Sequence, residues 1–99
     1  MKTNKELMDE LIHKVEQEQE EYREKLLSQS KEDILERAYA YAVREDIILE
    51  LYYIKLTSTE IKNLLKSERP LEDIYSLWED SDSGYMKVLA KIIKQSAKA

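Results

Sequence analysis

The chain contains very little of what interrupts a helix, with one glycine and one proline among its 99 residues. Chains use these two residues to make tight turns, and proline also breaks helices. A sheet protein of this length would need more of both. Charged residues make up 37% of the chain, which suits helices with one solvated face. The composition therefore predicts a single all-α domain over residues 1–99, a compact bundle of four to five helices.

Other residue types are missing too, and each absence removes a class of chemistry. Without cysteine there is no disulfide and no thiolate zinc site. With one histidine, no glycine-rich phosphate loop and no G-x-S-x-G turn, nucleophilic triads and nucleotide cradles lack their parts. The charged start and the lack of a long apolar run predict neither a signal peptide nor a membrane span. We therefore expect a cytoplasmic, non-catalytic protein without a cofactor.

One pair of residues matches a metal-ligand spacing. Glu10 and His13 form a Glu-x-x-His motif, which places a carboxylate and an imidazole on one helix face in di-iron bundles. Such a site needs the motif twice, and the chain has no second histidine. Only a dimer would bring two copies together, so we predict no metal site and a surface or hydrogen-bonded His13.

The first helix has a clear beginning and one apolar stripe. Thr3 followed by Glu6 forms a capping box, and the apolar rhythm then predicts a long helix over residues 4–28. This rhythm is typical of a face that packs against a neighbouring helix, in the same chain or in a second copy. A homo-oligomer assembled through this stripe, with no foreign target, is the alternative to a partner-binding protein. The stripe consists of Met8, Ile12, Val15, Gln19, Tyr22 and Leu26.

Negative charge dominates most of the chain. The first 84 residues contain 12 basic and 21 acidic side chains, whereas residues 85–99 contain four lysines and no acid. This balance argues against direct nucleic-acid binding and favours a basic protein partner. Acidic residues between Glu16 and Lys25 form either a solvated helix face or a projecting arm. The expected partner-binding residues are Glu16, Glu18, Glu20, Glu21, Glu24, Glu72, Asp73, Glu79, Asp80 and Asp82.

The middle of the chain leaves two interpretations open. Ser30 is expected to begin a helix, and the apolar phase changes at Arg44, so residues 31–54 form either one kinked helix or two. The apolar density of residues 47–54 predicts burial nearly all round. Glu45 and Asp46 are expected to pair with Arg44 or Arg37. Four tyrosines are expected on or beside core faces, namely Tyr39, Tyr52, Tyr53 and Tyr75, whereas Tyr22 and Tyr41 are expected nearer solvent or a seam.

Three shorter helices are expected to follow. Thr57 and Glu60 form a second capping box, and Pro70 suits the first position of the next helix. Residues 80–84 are predicted to be a short flexible linker, in which Ser81 or Ser83 caps the last helix. The apolar face of that helix is predicted to contain Tyr85, Val88, Leu89, Ile92 and Ile93.

Two segments carry a resemblance to a known family. Val43-Arg44-Glu45-Asp46-Ile47 and Pro70-Leu71-x-Asp73-Ile74-Tyr75 resemble a family of small bacterial proteins, a domain of unknown function common among phage and conjugative-element genes. The resemblance implies no established activity. Small acidic proteins of such elements include anti-CRISPR inhibitors, which bind an effector nuclease and occlude its basic nucleic-acid channel. By this analogy we expect a mobile-element protein that inhibits or adapts a larger basic partner such as a CRISPR effector nuclease.

Overall fold

A computed structural model describes residues 2–80 and 89–98, which form five α-helices and no strand. The predicted all-α fold with a long first helix is confirmed. None of these helices is both long and apolar enough to span a bilayer. The helices are α1 (Asn4–Leu27), α2 (Lys31–Leu51), α3 (Ser58–Leu65), α4 (Pro70–Glu79) and α5 (Leu89–Ser96).

Both predicted capping boxes are present. The Thr3 hydroxyl accepts a hydrogen bond from the Glu6 backbone N–H at 3.1 Å, and the Glu6 carboxylate accepts one from the Thr3 N–H at 3.1 Å. Thr57 and Glu60 make the same pair of bonds at 3.2 and 2.9 Å. Each box satisfies two backbone donors that a helix start leaves free, so α1 and α3 begin where the sequence predicts.

Residues 31–51 form one helix rather than two. The Ser30 hydroxyl accepts a hydrogen bond from the Asp33 N–H at 3.2 Å and begins α2, which continues through Arg44 to Leu51. The apolar spacing changes phase at Arg44 because the apolar residues before and after it lie mainly on different sides of α2. Apolar residues before it lie mainly on the outward side of α2, and those after it include the inward positions Ile47 and Leu51.

The core lies where α1 packs against α2, α3 and α4, and where α5 packs against α2 and α4. Leu89, Ile92 and Ile93 of α5 are buried as predicted. Tyr85, Val88 and the expected caps Ser81 and Ser83 lie outside the described residues, as does most of the expected linker. The buried cluster is completed by Leu7, Leu11, Val15, Val43, Ile47, Ile48, Leu51, Leu56, Ile61, Leu64, Leu71, Ile74 and Ala97.

Candidate partner-binding surface

The outward face of α1 carries a band of exposed carboxylates. In an α-helix, residues three and four apart share a face, and this spacing places the acids of α1 on one side. Lys2 pairs with Glu10 at 2.6 Å and Arg23 with Glu20 at 3.7 Å; these ion pairs are exposed and weak. We call this surface the α1 acidic band: Asp9, Glu10, Glu16, Glu20, Glu21 and Glu24.

Glu18 was expected on the same surface but is buried. Its two carboxylate oxygens accept hydrogen bonds from the backbone N–H groups of Leu71 at 2.9 Å and Glu72 at 2.8 Å. These groups lie in the first turn of α4, whose own N-cap residue, Arg69, makes no capping side-chain bond. Glu18 therefore caps α4 from another helix and is not available to a partner.

Arg44 joins α1, α2 and α4 in the interior, with only 3% of the residue exposed. Its Nε donates to Gln19 Oε1 at 3.0 Å, its Nη1 donates to the Glu72 carboxylate, and its Nη2 lies 3.8 Å from Glu18. The guanidinium also lies over the Tyr22 ring, 4.2 Å from the ring centroid, which is a cation–π contact. The expectation that Arg44 pairs with Glu45 or Asp46 was wrong, because adjacent residues on a helix do not face each other.

The buried polar groups of this cluster satisfy one another. Gln19 Nε2 donates to the Tyr41 carbonyl at 3.2 Å and to Glu45 at 3.3 Å, while Gln19 Oε1 accepts from Arg44. Burial raises the pKa of Glu18 above its ordinary value, and the bonds from Leu71 and Glu72 and the charge of Arg44 oppose that shift. Within the described ranges, no buried side-chain nitrogen or oxygen lacks a partner. The cluster is therefore a structural junction.

The predicted stripe of α1 packs inside the protein. Val15, Gln19 and Leu26 are buried, and Met8, Ile12 and Tyr22 are half-buried. Residues 18 and 19 contact α2 and α4, so the acidic segment of α1 lies against the body of the protein and does not project from it.

Most of the predicted acidic residues of α4 that the structure describes contact other groups of the protein. Glu72 is partly buried against Arg44, Asp73 accepts a hydrogen bond from the Ser67 hydroxyl at 2.5 Å, and Glu79 accepts one from the Tyr75 hydroxyl at 3.4 Å. Asp80 is exposed, and Asp82 lies outside the described residues. Glu72, Asp73 and Glu79 of this set therefore each have a partner within the protein.

The outward face of α2 is apolar, contrary to the predicted burial of this segment. Leu35 is 77% exposed, Tyr39 62%, Leu49 53% and Tyr53 77%. The prediction was wrong because the neighbouring helices bury Val43, Arg44 and Ile47 of α2 but leave these other side chains largely exposed. Trp78 of α4 contacts Tyr39 without burying it. We call the outward residues of α2, together with Tyr53 just beyond its end, the α2 stripe: Leu35, Ala38, Tyr39, Ala42, Leu49 and Tyr53.

The α2 stripe has a sequence signal of its own. Leu35, Tyr39, Ala42, Asp46, Leu49 and Tyr53 follow a 4-3-4-3-4 spacing, the repeat that pairs one helix with another. Its partly buried polar member, Asp46, interrupts an otherwise apolar line. Sequence analysis instead predicted burial nearly all round for residues 47–54 and placed Tyr39 on or beside a core face, since periodicity identifies a face and not what covers it.

A shallow groove lies between α1 and α2, beside the α1 acidic band. It measures about 220 Å³ and is lined by Glu16, Gln19, Glu20, Tyr41, Glu45 and Ile48. Beside it, the Tyr52 hydroxyl donates to Glu16 at 2.8 Å. One α1 carboxylate therefore contacts Tyr52, an exposed tyrosine directly after α2.

Glu10 and His13, which match a metal-ligand spacing in the sequence, do not form part of a larger ligand set among the described residues. His13 is exposed on α1, and no group of three or more metal-ligating side chains occurs in residues 2–80 and 89–98. A wider groove of about 720 Å³ lies beside His13 and is lined by Asn4, Lys5, Met8, Asp9, Ile12, Glu16, Tyr52, Ile54, Lys55, Leu56 and Ile61.

Comparison with known protein families assigns the chain to one of them. It belongs to the family described as "Protein of unknown function (DUF3848)", whose model matches residues 7–99. This match covers all five helices apart from the first residues of α1, and it confirms the resemblance to a domain of unknown function. No curated protein and no solved structure matches the chain.

Proposed function

We propose that this member of the family is a non-catalytic binding module for a larger basic protein. The observation that carries the proposal is the presence of two exposed surfaces on neighbouring helices, the α1 acidic band and the apolar α2 stripe, with Glu45 in the groove between α1 and α2. Exposed apolar patches bordered by polar residues are typical of protein–protein contact sites. The carboxylates at the border select a partner of opposite charge and speed its encounter.

The proposed partner handles nucleic acid. Proteins that bind nucleic acid present lysines and arginines to a regular row of phosphates, and such a surface also accepts a row of carboxylates. From Asp9 to Glu24 the α1 acidic band extends over roughly 22 Å, at about 1.5 Å per residue. Occupation of a basic channel by this band would inhibit or adapt the partner, as expected for a mobile-element protein.

Self-assembly through the α1 stripe is the weaker proposal. Val15 and Leu26 are buried against other helices of the same chain. A second copy would have to displace those helices to reach them. The α2 stripe, in contrast, is accessible without any rearrangement.

The test is capture from native host cells by the immobilised chain, with and without charge reversal. The triple variant Glu20→Lys, Glu21→Lys, Glu24→Lys changes three exposed residues of the band. The matched control is Glu68→Lys, also exposed but in the turn between α3 and α4. We expect the wild type and the control to retain a basic protein that added nucleic acid displaces, and the triple variant to lose it.

Salt dependence provides the second readout. Exposed charges are screened beyond about 8 to 10 Å at physiological ionic strength, so the captured protein is expected to elute as salt rises. An acidic captured protein, or a basic one that the triple variant retains equally at every salt concentration, would show that the proposed function is wrong.

A further inference from the structure

The α2 stripe has the dimensions of a helix-binding site. Leu35 and Leu49, the first and last stripe residues within α2, are 14 positions apart, which corresponds to roughly 21 Å at about 1.5 Å per residue. At 3.6 residues per turn, Leu35, Tyr39, Ala42 and Leu49 fall within an arc of about 80°. A narrow line of apolar side chains along a straight helix is the shape against which a second helix packs.

Both edges of the stripe are acidic. Glu45 lies on the edge that faces α1, beside Glu16 and Glu20. On the other edge, helical spacing places Glu36 and Glu50. Among residues 2–80 and 89–98, the side-chain carboxylates of Glu36 and Glu50 make no hydrogen bond or ion pair that would neutralise their charge. An apolar line between two rows of carboxylates selects a complementary charge pattern in whatever covers it.

We propose that the α2 stripe binds one amphipathic helix of the partner, which has an apolar seam and lysines or arginines on both sides of that seam. The proposal rests on the proposed function, because it specifies how a basic protein engages this surface. The apolar seam of the incoming helix packs on Leu35, Tyr39 and Leu49, and its basic side chains meet the carboxylates on either edge. This is the helix-in-groove mode of recognition.

A second copy of α2 is a poor occupant of the same face. In a symmetric pair each acidic edge would meet an acidic edge of its twin, and like charges at the flanking positions of paired helices oppose association. A basic helix removes this conflict, because its lysines or arginines meet the acidic edges on both sides of the stripe.

Designed peptides test the proposal directly. The first peptide has about three heptads with leucine at positions a and d, lysine at e and g, and no tryptophan. The second is identical except that glutamate replaces lysine. Trp78, the only tryptophan of the chain, lies 6.1 Å from Tyr39 between ring centroids, so its fluorescence reports occupation of the stripe.

Matched variants locate the binding site. Leu35→Ser with Leu49→Ser removes two anchors of the stripe, while Leu27→Ser removes an equally exposed leucine from α1. Glu36→Lys with Glu50→Lys reverses one edge, while Glu21→Lys with Glu24→Lys reverses charge on the α1 acidic band. All the changed positions are exposed except Glu50, which is half-buried, and circular dichroism checks that the helices persist.

The lysine peptide is expected to bind the wild type and the Leu27 variant alike. We expect the α2 leucine variant and the Glu36/Glu50 variant to bind the lysine peptide about tenfold more weakly, since anchors dominate such interfaces. The Glu21/Glu24 variant is expected to lose less affinity than the Glu36/Glu50 variant. The glutamate peptide is not expected to bind.

Three results would overturn the proposal: no binding of the lysine peptide at about 1 mM, equal binding of the glutamate peptide, or unchanged affinity in the α2 variants. A dimer in sedimentation that the α2 leucine variant dissociates would assign the stripe to a second copy instead. If host cells yield a basic protein that Leu35→Ser with Leu49→Ser still retains, the proposed function stands and the helix-docking proposal fails.

Discussion

Glu18 caps a helix that begins more than fifty residues later in the chain, with its carboxylate 2.9 Å from the backbone nitrogen of Leu71. The arrangement supplies α4 with the acceptor that its own N-cap residue, Arg69, does not provide. A carboxylate at a helix N-terminus also interacts favourably with the helix dipole. α1 and α4 are thus connected by a directional contact as well as by apolar packing.

Loss of this cap is expected to destabilise the whole fold. Glu18→Ala leaves the first-turn N–H groups of Leu71 and Glu72 without an acceptor and removes one anion from the surroundings of buried Arg44. We expect a loss of roughly 3 kcal/mol in the free energy of unfolding, measured by urea denaturation. Glu20→Ala, exposed two residues away, is expected to change it by less than about 0.5 kcal/mol. Equal effects of the two variants would contradict the capping role.

Arg44 is expected to be irreplaceable by lysine. Its planar guanidinium serves Gln19, Glu72 and the Tyr22 ring at once, whereas an ammonium is a compact point charge. We expect Arg44→Lys to cost roughly 2 kcal/mol, from the lost charge-assisted bonds. Arg37→Lys is the control on the same helix, since Arg37 is exposed. Thermal denaturation of both variants measures the difference, and a fully stable Arg44→Lys protein would show that charge alone suffices at this position.

The contacts around Arg44 could not be predicted from the sequence, because they join residues that are far apart in the chain. Glu18 occurs in a run of acids that resembles a solvated face, and its partner in α4 is distant in sequence. Local patterns identify neighbours along a helix, not neighbours brought together by packing. The one available signal was Gln19, the single polar member of the α1 stripe, because a polar residue in a buried stripe requires a hydrogen-bonding partner.

The helices themselves were predictable because their signals are local. Thr3, Ser30 and Thr57 cap their own helices within three residues, and Pro70 stands at the first position of α4. The outward face of α2 was not predictable, since an apolar face looks the same in sequence whether the chain itself or another molecule covers it. The same ambiguity made the α1 stripe a candidate for self-assembly.

A charged side chain introduced at a buried position of the α1 stripe is expected to unfold the chain. Val15 is fully buried, and a lysine there would place an unpaired charge in the core, which costs about 4 kcal/mol or more. Net stability of a domain of this size is only about 5 to 15 kcal/mol, so Val15→Lys is expected to lose much of its helical circular dichroism. Met8→Lys, at a half-buried position, is expected to retain it.

Sedimentation of the same two variants addresses self-assembly. If the Val15→Lys chain kept wild-type helicity and merely changed from dimer to monomer, the α1 stripe would be a contact between subunits. The conclusion that this stripe packs against helices of the same chain would then be wrong.

The capping boxes are expected to weaken in acid. The hydrogen bond from the Thr57 backbone N–H holds the pKa of Glu60 below its ordinary value of 4.5, and Thr3 has the same effect on Glu6. A lowered pKa in the folded state means that the carboxylate stabilises the fold above about pH 4.5, and that this contribution disappears as the pH falls through the folded-state value. Glu60→Gln removes the titrating group.

The free energy of unfolding of the wild type and of Glu60→Gln, measured by urea denaturation between about pH 6 and pH 3, gives this contribution by difference. We expect the wild-type advantage to shrink steadily toward pH 3, and Glu6→Gln to behave in the same way at the start of α1. A difference that stays constant over the whole range would mean that ionised Glu60 does not favour the folded state, and that the hydroxyl of Thr57 alone determines where α3 begins.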